Sequence, residues 1–94
     1  MGVTKHDRIA KEIAEKKGTV YHDDRGVDIR TQTQAIEVEV DPGKFKKGVQ
    51  QLQGTDKARY IAVPNDLVRD AIQYTEGTGV GVMNEHGRIK KRAR

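Results

Sequence analysis

The chain has 94 residues, of which 34% are hydrophobic and 34% are charged, so it fits one domain of residues 1–94 with a modest core. The absence of cysteine excludes disulfides and cysteine-based zinc sites and suits the reducing cytoplasm. The net charge is +4, and no stretch approaches the ~20 apolar residues of a membrane-spanning helix, so we expect no membrane partner.

Residues 4–17 are predicted to form an amphipathic helix. Thr4 can cap its start, Asp7 suits the positive end of the helix dipole, and Gly18 favours a stop. The stripe that faces the core contains apolar side chains, a histidine and the stem of a lysine: His6, Ile9, Ala10, Ile13, Ala14 and Lys17. His6 is therefore interpreted as a packed helix residue.

A short strand over residues 19–22, a turn over 23–26 and then a β-hairpin are predicted next. Residues 27–30 and 35–40 alternate apolar and polar side chains, which is the pattern of strands with one buried face. The predicted inward set is Val27, Ile29, Ile36, Val38 and Val40, and the opposite set is Asp28, Arg30, Glu37 and Glu39.

Three acidic side chains, Asp28, Glu37 and Glu39, are predicted to meet on one face of this hairpin. If Gln32-Thr33 is the turn, Asp28 lies directly opposite Glu37, with ~5 Å between their Cβ atoms. Like charges at that distance destabilise a strand pair, so a compensating group is expected. A divalent cation held by carboxylate oxygens is the natural candidate.

The second helix is predicted to begin at Asp41-Pro42, with the aspartate as its cap and proline at its first position. Its apolar stripe consists of Phe45, Val49 and Leu52, with Gly48 on the same side. Residues 59–63 are typical of an interior strand, and Pro64 lies just outside it. Asn65 or Asp66 is predicted to cap a third helix, whose inward residues are Leu67, Val68, Ala71 and Ile72.

Residues 77–83 are predicted to lead into a strand, and a turn over 84–87 to connect it to a last short strand near 88–90. The glycines of residues 77–81 lack the full spacing of a phosphate-binding loop, so this segment is interpreted as a turn and strand entry. The predicted order is α-β-β-β-α-β-α-β-β, which indicates one α/β domain with a mixed sheet flanked by helices.

Basic residues are concentrated in the C-terminal tail, residues 87–94. This segment has no acidic residue and five basic ones: Arg88, Lys90, Lys91, Arg92 and Arg94. The other 86 residues therefore have a net charge of −1. It is either a solvated tail or an arm that binds nucleic-acid phosphates. A second basic cluster, Lys44, Lys46 and Lys47, supports phosphate binding.

The hairpin and its context resemble the PD-(D/E)XK nuclease superfamily. The matching segments are GVDIRT (26–31) and AIEVEV (35–40), and the resemblance spans nearly the whole chain, being closest to small archaeal Holliday-junction resolvases. It implies a restriction-endonuclease-like αβββαβ core and a metal-dependent endonuclease acting on DNA, with duplex and branched or junction DNA as candidate substrates. It also implies a homodimer, in which two sites would serve two strands.

The resemblance further assigns roles to individual residues. Asp28 and Glu37 match the metal-binding acids, so they would hold Mg²⁺ or Mn²⁺, with the main-chain carbonyl of Val38 as a further ligand. Asp7 matches an accessory acid of the first helix, although a carboxylate that suits the helix dipole is the simpler interpretation. Gln51 falls where a polar residue could orient a water, and no organic cofactor is implied.

Glu39 departs from the family pattern, because it stands where the family has a catalytic lysine that offsets charge in the transition state. Glu39 could be a third metal ligand, with the cationic role moved to Lys44, Lys46 or Lys47, among which Lys46 is chosen here. Catalysis could also proceed without a lysine. A third explanation is an inactive nuclease fold that binds nucleic acid or a protein partner.

An interaction module that binds no nucleic acid is the alternative from a different class. In that case the hairpin acids would form salt bridges with Arg30 and lysine side chains, since alternating charges are common on solvated sheet faces. Binding whose affinity does not fall with added salt would favour this alternative.

Overall fold

A five-stranded sheet organises the protein, and the computed structural model describes residues 4–22 and 27–94. The helices are α1 (Lys5–Lys16), α2 (Phe45–Gln51) and α3 (Val68–Thr75). The strands are β1 (Ile29–Arg30), β2 (Gln34–Val38), β3 (Ala58–Ala62), β4 (Gly81–Met83) and β5 (Ile89–Lys91). The predicted turn over 23–26 lies outside the described residues.

The order of the strands across the sheet is the same as their order along the chain, β1-β2-β3-β4-β5. β1 pairs with β2 and β4 with β5 in antiparallel fashion, whereas β2, β3 and β4 are parallel. Parallel neighbours need a crossover connection. α2 supplies the crossover from β2 to β3, and α3 supplies the one from β3 to β4. The predicted α/β class and mixed sheet are thus confirmed.

The predicted hairpin is present in the predicted register. Ile29 pairs with Ile36 and Arg30 with Ala35, so the same register continued by one residue sets Asp28 opposite Glu37. The connection is closed by a hydrogen bond of 2.9 Å from the Thr31 N–H to the Gln34 carbonyl. By contrast, the predicted strand over 19–22 is wrong, because only Tyr21 forms a bridge there, to Ile29.

Both faces of the sheet are covered, so the expectation of a single buried face was wrong. The α1 face packs Ile9, Ala10, Ile13, Ala14, Ile29, Ile36, Val38, Tyr60, Ala62 and Met83. The face under α2 and α3 packs Val27, Ala35, Phe45, Val49, Leu52, Ile61, Val63, Ala71, Val80 and Val82. Val27 was predicted on the face of Ile29, but β1 begins only at Ile29, so the alternation does not extend back to Val27.

The starts of α2 and α3 are built differently. Each is preceded by a turn of 3₁₀ helix, Pro42–Lys44 or Asn65–Leu67. Asp41 caps the first of these, since its Oδ1 accepts from the Gly43 N–H at 2.9 Å. The predicted capping by Asn65 or Asp66 is wrong, because the second turn follows Pro64 without a side-chain cap.

The basic C-terminal segment is part of the sheet. β5 lies one residue later than predicted, and beyond it Ala93 packs against the α1-face cluster. Gly81 permits this close approach, because a Cβ added there would lie 2.5 Å from the Ala93 nitrogen. The turn before β5 is also joined to α1, where His86 Nδ1 lies 2.8 Å from Glu12 Oε2.

In the described ranges, no helix is both long enough and apolar enough to cross a bilayer.

Candidate functional site

Asp28 and Glu37 lie side by side in the structure, as predicted, and both are buried, with 9% and 6% of their surfaces exposed. Asp28 immediately precedes β1, and its Oδ2 accepts a hydrogen bond of 2.9 Å from the Val38 N–H. The carboxylate therefore takes the place of a strand carbonyl at the end of the β1–β2 ladder. This contact fixes Asp28 against the C-terminal part of β2.

Glu37 carries the most unusual electrostatic environment in the described part of the chain. Burial, followed by a hydrogen bond with Asp28 and the charges of Asp28 and Glu39, raises the pKa of Glu37 to about 9. Its Oε2 is buried and has no hydrogen-bond partner within residues 4–22 and 27–94. An unpaired buried acceptor is costly, so this position favours either a retained proton or a bound cation.

Glu39 is the third member of the acidic cluster, which we define as Asp28, Glu37 and Glu39. Its N–H donates to the Ala62 carbonyl at 3.0 Å, so pairing with β3 continues past the end of β2. Burial and the charge of Asp28 raise the pKa of Glu39 to about 7, while the charges of His6, Lys44 and Lys47 oppose the rise. The charge of Asp28 therefore raises the pKa of both glutamates, and the charge of Glu39 also raises the pKa of Glu37.

Gly48 holds α2 close to the acidic cluster. A Cβ added at Gly48 would lie 2.8 Å from Glu39 Oε2 and 2.9 Å from its Cγ. Glycine thus leaves the space that the Glu39 side chain occupies. The structure explains why Gly48 shares the inner side of α2 with Phe45 and Val49, as the sequence indicated.

We expect Gly48→Ala to displace the Glu39 carboxylate toward water with little change in global stability. The clash falls on side-chain atoms of Glu39 and not on backbone, and alanine gains ~1 kcal/mol of helix propensity over glycine. The pKa of Glu39, followed by carboxyl carbon NMR, should fall toward its ordinary value of 4.5. Gln50→Ala, an exposed change on the same helix, is the control, and an unchanged Glu39 pKa in Gly48→Ala would contradict the prediction.

His6 joins the acidic cluster from α1, which the sequence analysis missed. Its Nε2 lies 3.1 Å from Asp28 Oδ2, and this contact raises the pKa of His6 against the opposing effect of burial. Its Nδ1 lies 3.3 Å from the Tyr21 hydroxyl, which donates to Asp7 Oδ1 at 2.8 Å. The helical stripe did place His6 toward the sheet, but it could not show which strand residue His6 meets.

Asp7, predicted as a possible accessory acid, occupies an outer position. Its carboxylate accepts a hydrogen bond from the Tyr21 hydroxyl at 2.8 Å, and its backbone N–H donates to Thr4 Oγ1 at 3.1 Å, the contact by which Thr4 caps α1. The hydrogen bond from Tyr21 is the main cause that lowers the pKa of Asp7. Asp7 thus orients Tyr21 and, through it, His6.

The predicted basic residues occupy two distant regions. Lys44 and Lys47 act on Glu39 through their charge, whereas Lys46 and Gln51 are exposed and make no hydrogen bond or ion pair to the described acids. Arg88, Lys90, Lys91 and Arg92 lie on or beside β5, four strand spacings from β1, or roughly 19 Å. One chain therefore does not surround its acidic cluster with its basic C-terminal segment.

The donor set fits a hard divalent cation in its chemistry, because carboxylate and carbonyl oxygens are what Mg²⁺ prefers. The buried, unpartnered Glu37 Oε2 is the observation that supports this fit. Across the described residues, no group of three His, Cys, Asp or Glu side chains already has an arrangement that could hold a metal ion. Binding would therefore require the side chains of the acidic cluster to turn toward one another.

Comparison with known proteins gives no match to a protein-family model, to a curated protein or to a solved structure. The function must therefore be argued from these residues and their geometry.

Proposed function

We propose that the protein is a metal-dependent endonuclease that hydrolyses DNA phosphodiester bonds, with duplex or branched DNA as its substrate. The observation that carries the proposal is the buried Glu37 Oε2, which has no partner within the described ranges and lies beside two further acids. Such a cluster concentrates negative charge where water is scarce, and a bound cation would compensate for it.

Asp28 and Glu37 would hold the Mg²⁺ or Mn²⁺ ion, with the Val38 carbonyl and Glu39 as further oxygen donors. Bound there, the ion would supply Lewis acidity for activating a water and neutralising charge on the phosphate. Burial of Asp28 and Glu37 keeps bulk water from weakening these interactions. His6, held by Tyr21, positions Asp28 through the contact at 3.1 Å.

The order of elements supports the finer assignment to a restriction-endonuclease-like αβββαβ core. α1 is followed by β1, β2, α2 and β3, with the single bridge at Tyr21 standing where that core has its first strand. The aspartate lies at the start of the hairpin and the glutamate within its second strand, as the resemblance to PD-(D/E)XK nucleases implies. A homodimer, which would present two acidic clusters to two strands, belongs to the same proposal.

Lys44 and Lys47 replace Lys46 as candidates for the missing motif lysine. Glu39 stands where the family has lysine, and these two side chains are the lysines whose positive charge reaches Glu39. Both emerge from the segment that begins α2, next to the acidic cluster. A cation placed there could stabilise charge that develops on a phosphate.

A catalytically inactive nuclease fold that binds nucleic acid is the second candidate. Two observations favour it: Glu39 occupies the motif-lysine position, and Asp28 Oδ2 is already engaged by both Val38 and His6. In this case the fold would bind DNA through Lys44, Lys47 and the basic C-terminal segment, with an affinity that falls as salt is added.

The deciding experiment is cleavage of a four-way DNA junction and of a plain duplex, with Mg²⁺ and then with Mn²⁺. We expect metal-dependent cleavage by the wild-type protein and none by Glu37→Ala, which also controls for a contaminating nuclease. Calorimetry with Mn²⁺ alone gives an independent readout, with binding lost in the same variant. Salt-sensitive DNA binding without cleavage in either metal would overturn the endonuclease and support the inactive fold.

A further inference from the structure

A pocket of about 460 Å³ lies where the end of α3, the segment before β4 and the end of β5 meet. We call it the β5 pocket. The wall residues that matter here are Glu76, Gly77, Gly79, Lys91, Arg92 and Arg94. This volume is within the ~300–1,000 Å³ range of small-molecule sites.

The β5 pocket concentrates positive charge. Three cationic residues line it against one carboxylate, that of Glu76. A fourth cation is close, because a Cβ added at Gly79 would lie 2.7 Å from Arg59 Nη2. Like charges held together in one concavity favour an anionic ligand.

Hydrogen bonds hold the Lys91 side chain and the Arg94 backbone at the pocket. Lys91 Nζ donates to Thr75 Oγ1 at 2.9 Å and to the Val80 carbonyl at 3.1 Å. An ammonium group has three donors, so one N–H is left for a ligand. The Arg94 N–H donates to the Gly79 carbonyl at 2.9 Å, which anchors the end of the chain against the same wall.

Backbone donors add to this charge. The N–H groups of Gly77 and Gly79 donate to no acceptor within residues 4–22 and 27–94. Free backbone N–H groups next to cationic side chains form the kind of concavity that binds phosphate. The acidic cluster, by contrast, offers carboxylate oxygens, which accept hydrogen bonds.

We propose that the β5 pocket binds the phosphate group of a phosphate ester, either a free nucleotide or one unit of a nucleic-acid chain. The phosphate meets Arg92, Arg94 and the glycine N–H groups, and the remaining volume accommodates the attached organic group. Arginine suits this role because its planar fork matches phosphate oxygens.

The β5 pocket is separate from the acidic cluster. It lies near the beginning of β4, whereas Glu39 follows the end of the parallel strand β2, and three strand spacings separate β2 from β5. Binding here needs no metal ion. The proposal is therefore independent of the endonuclease and can fail or succeed without it.

The test is an NMR titration of the ¹⁵N-labelled, metal-free protein with a nucleoside 5′-monophosphate and with inorganic phosphate. We expect saturable shifts at the Gly77 and Gly79 amides, with the nucleotide binding more tightly than phosphate. Arg92→Gln should weaken nucleotide binding about tenfold, the size expected for one charge-assisted contact. Arg69→Gln, the same substitution at an exposed position on α3 that does not line the pocket, should leave binding within about twofold.

Equal weakening in Arg92→Gln and Arg69→Gln would show attraction to general positive charge and would overturn the proposed binding site. If inorganic phosphate bound as tightly as the nucleotide, the proposal that the ligand is a phosphate ester would be overturned. If a short DNA duplex displaces the nucleotide from the glycine amides, the phosphate ester that the pocket binds is a unit of nucleic acid. If the duplex does not displace it, the ligand is a free nucleotide. Both results support binding at the β5 pocket.

Discussion

Replacing Glu37 with glutamine should raise the free energy of unfolding of the metal-free protein by at least about 2 kcal/mol at pH 8. In the folded protein the pKa of Glu37 is raised to about 9 from its ordinary value of 4.5, chiefly by burial. Between these two values the folded state keeps a proton that the unfolded state releases, so stability falls as pH rises through this window. Glutamine has the same shape, carries no charge, and can donate to Asp28 as the protonated carboxyl does.

Urea denaturation between pH 5 and 9 measures this effect. The wild-type protein should lose stability steadily across the range, whereas Glu37→Gln should show a much flatter profile. Part of the slope will remain below about pH 7, because the pKa of Glu39 is also raised, to about 7. Glu15→Gln, at an exposed position on α1, is the matched control and should follow the wild-type profile. Parallel profiles for wild type and Glu37→Gln would contradict the prediction.

Asp28→Asn should reduce metal-dependent DNA cleavage at least about 100-fold while leaving the fold intact. The asparagine oxygen can still accept from the Val38 N–H, which now bonds Asp28 Oδ2 at 2.9 Å, so the end of the ladder stays satisfied. What disappears is the negative charge that the proposed cation requires. The rate of junction cleavage under single-turnover conditions is the quantity to compare.

Asp41→Asn provides the matched control for this substitution. Asp41 is exposed and caps the turn before α2, a role that asparagine also fills. Its cleavage rate should stay within about twofold of wild type. An Asp28→Asn protein that cleaves at the wild-type rate would remove Asp28 from the proposed metal ligands.

The proximity of the acidic side chains could be predicted because it depends on local information. Alternation along residues 35–40 and a two-residue turn at Gln32-Thr33 together fix a hairpin register, and the register sets Asp28 opposite Glu37. The inward faces of the helices could also be predicted, since Ala71 and its partly buried neighbours on the third helix face the core as expected.

What could not be predicted depends on packing between distant parts of the chain. Alternation shows that two faces of a strand differ, but it does not show what covers the polar face. Here Glu37 is buried, and Ala35, two positions before it on the same strand, packs in the cluster under α2 and α3. His6 and Asp28 are separated by 22 positions, so their contact follows from the angle at which α1 lies on the sheet. Gly48 against Glu39 is a contact of the same kind.

The identical order of the strands in the chain and in the sheet has a consequence for how the protein folds. Each strand pairs with its immediate predecessor, so the antiparallel pairings close short turns, whereas the two parallel pairings close the helical crossovers over residues 39–57 and 63–80. Such a topology lets the sheet grow in chain order from its first hairpin while the chain is still being synthesised, and the two parallel pairings are expected to be its slower steps. The contact between Glu12 and His86, 74 positions apart, can form only when the turn before β5 arrives, so docking of that turn on α1 is expected to complete the process.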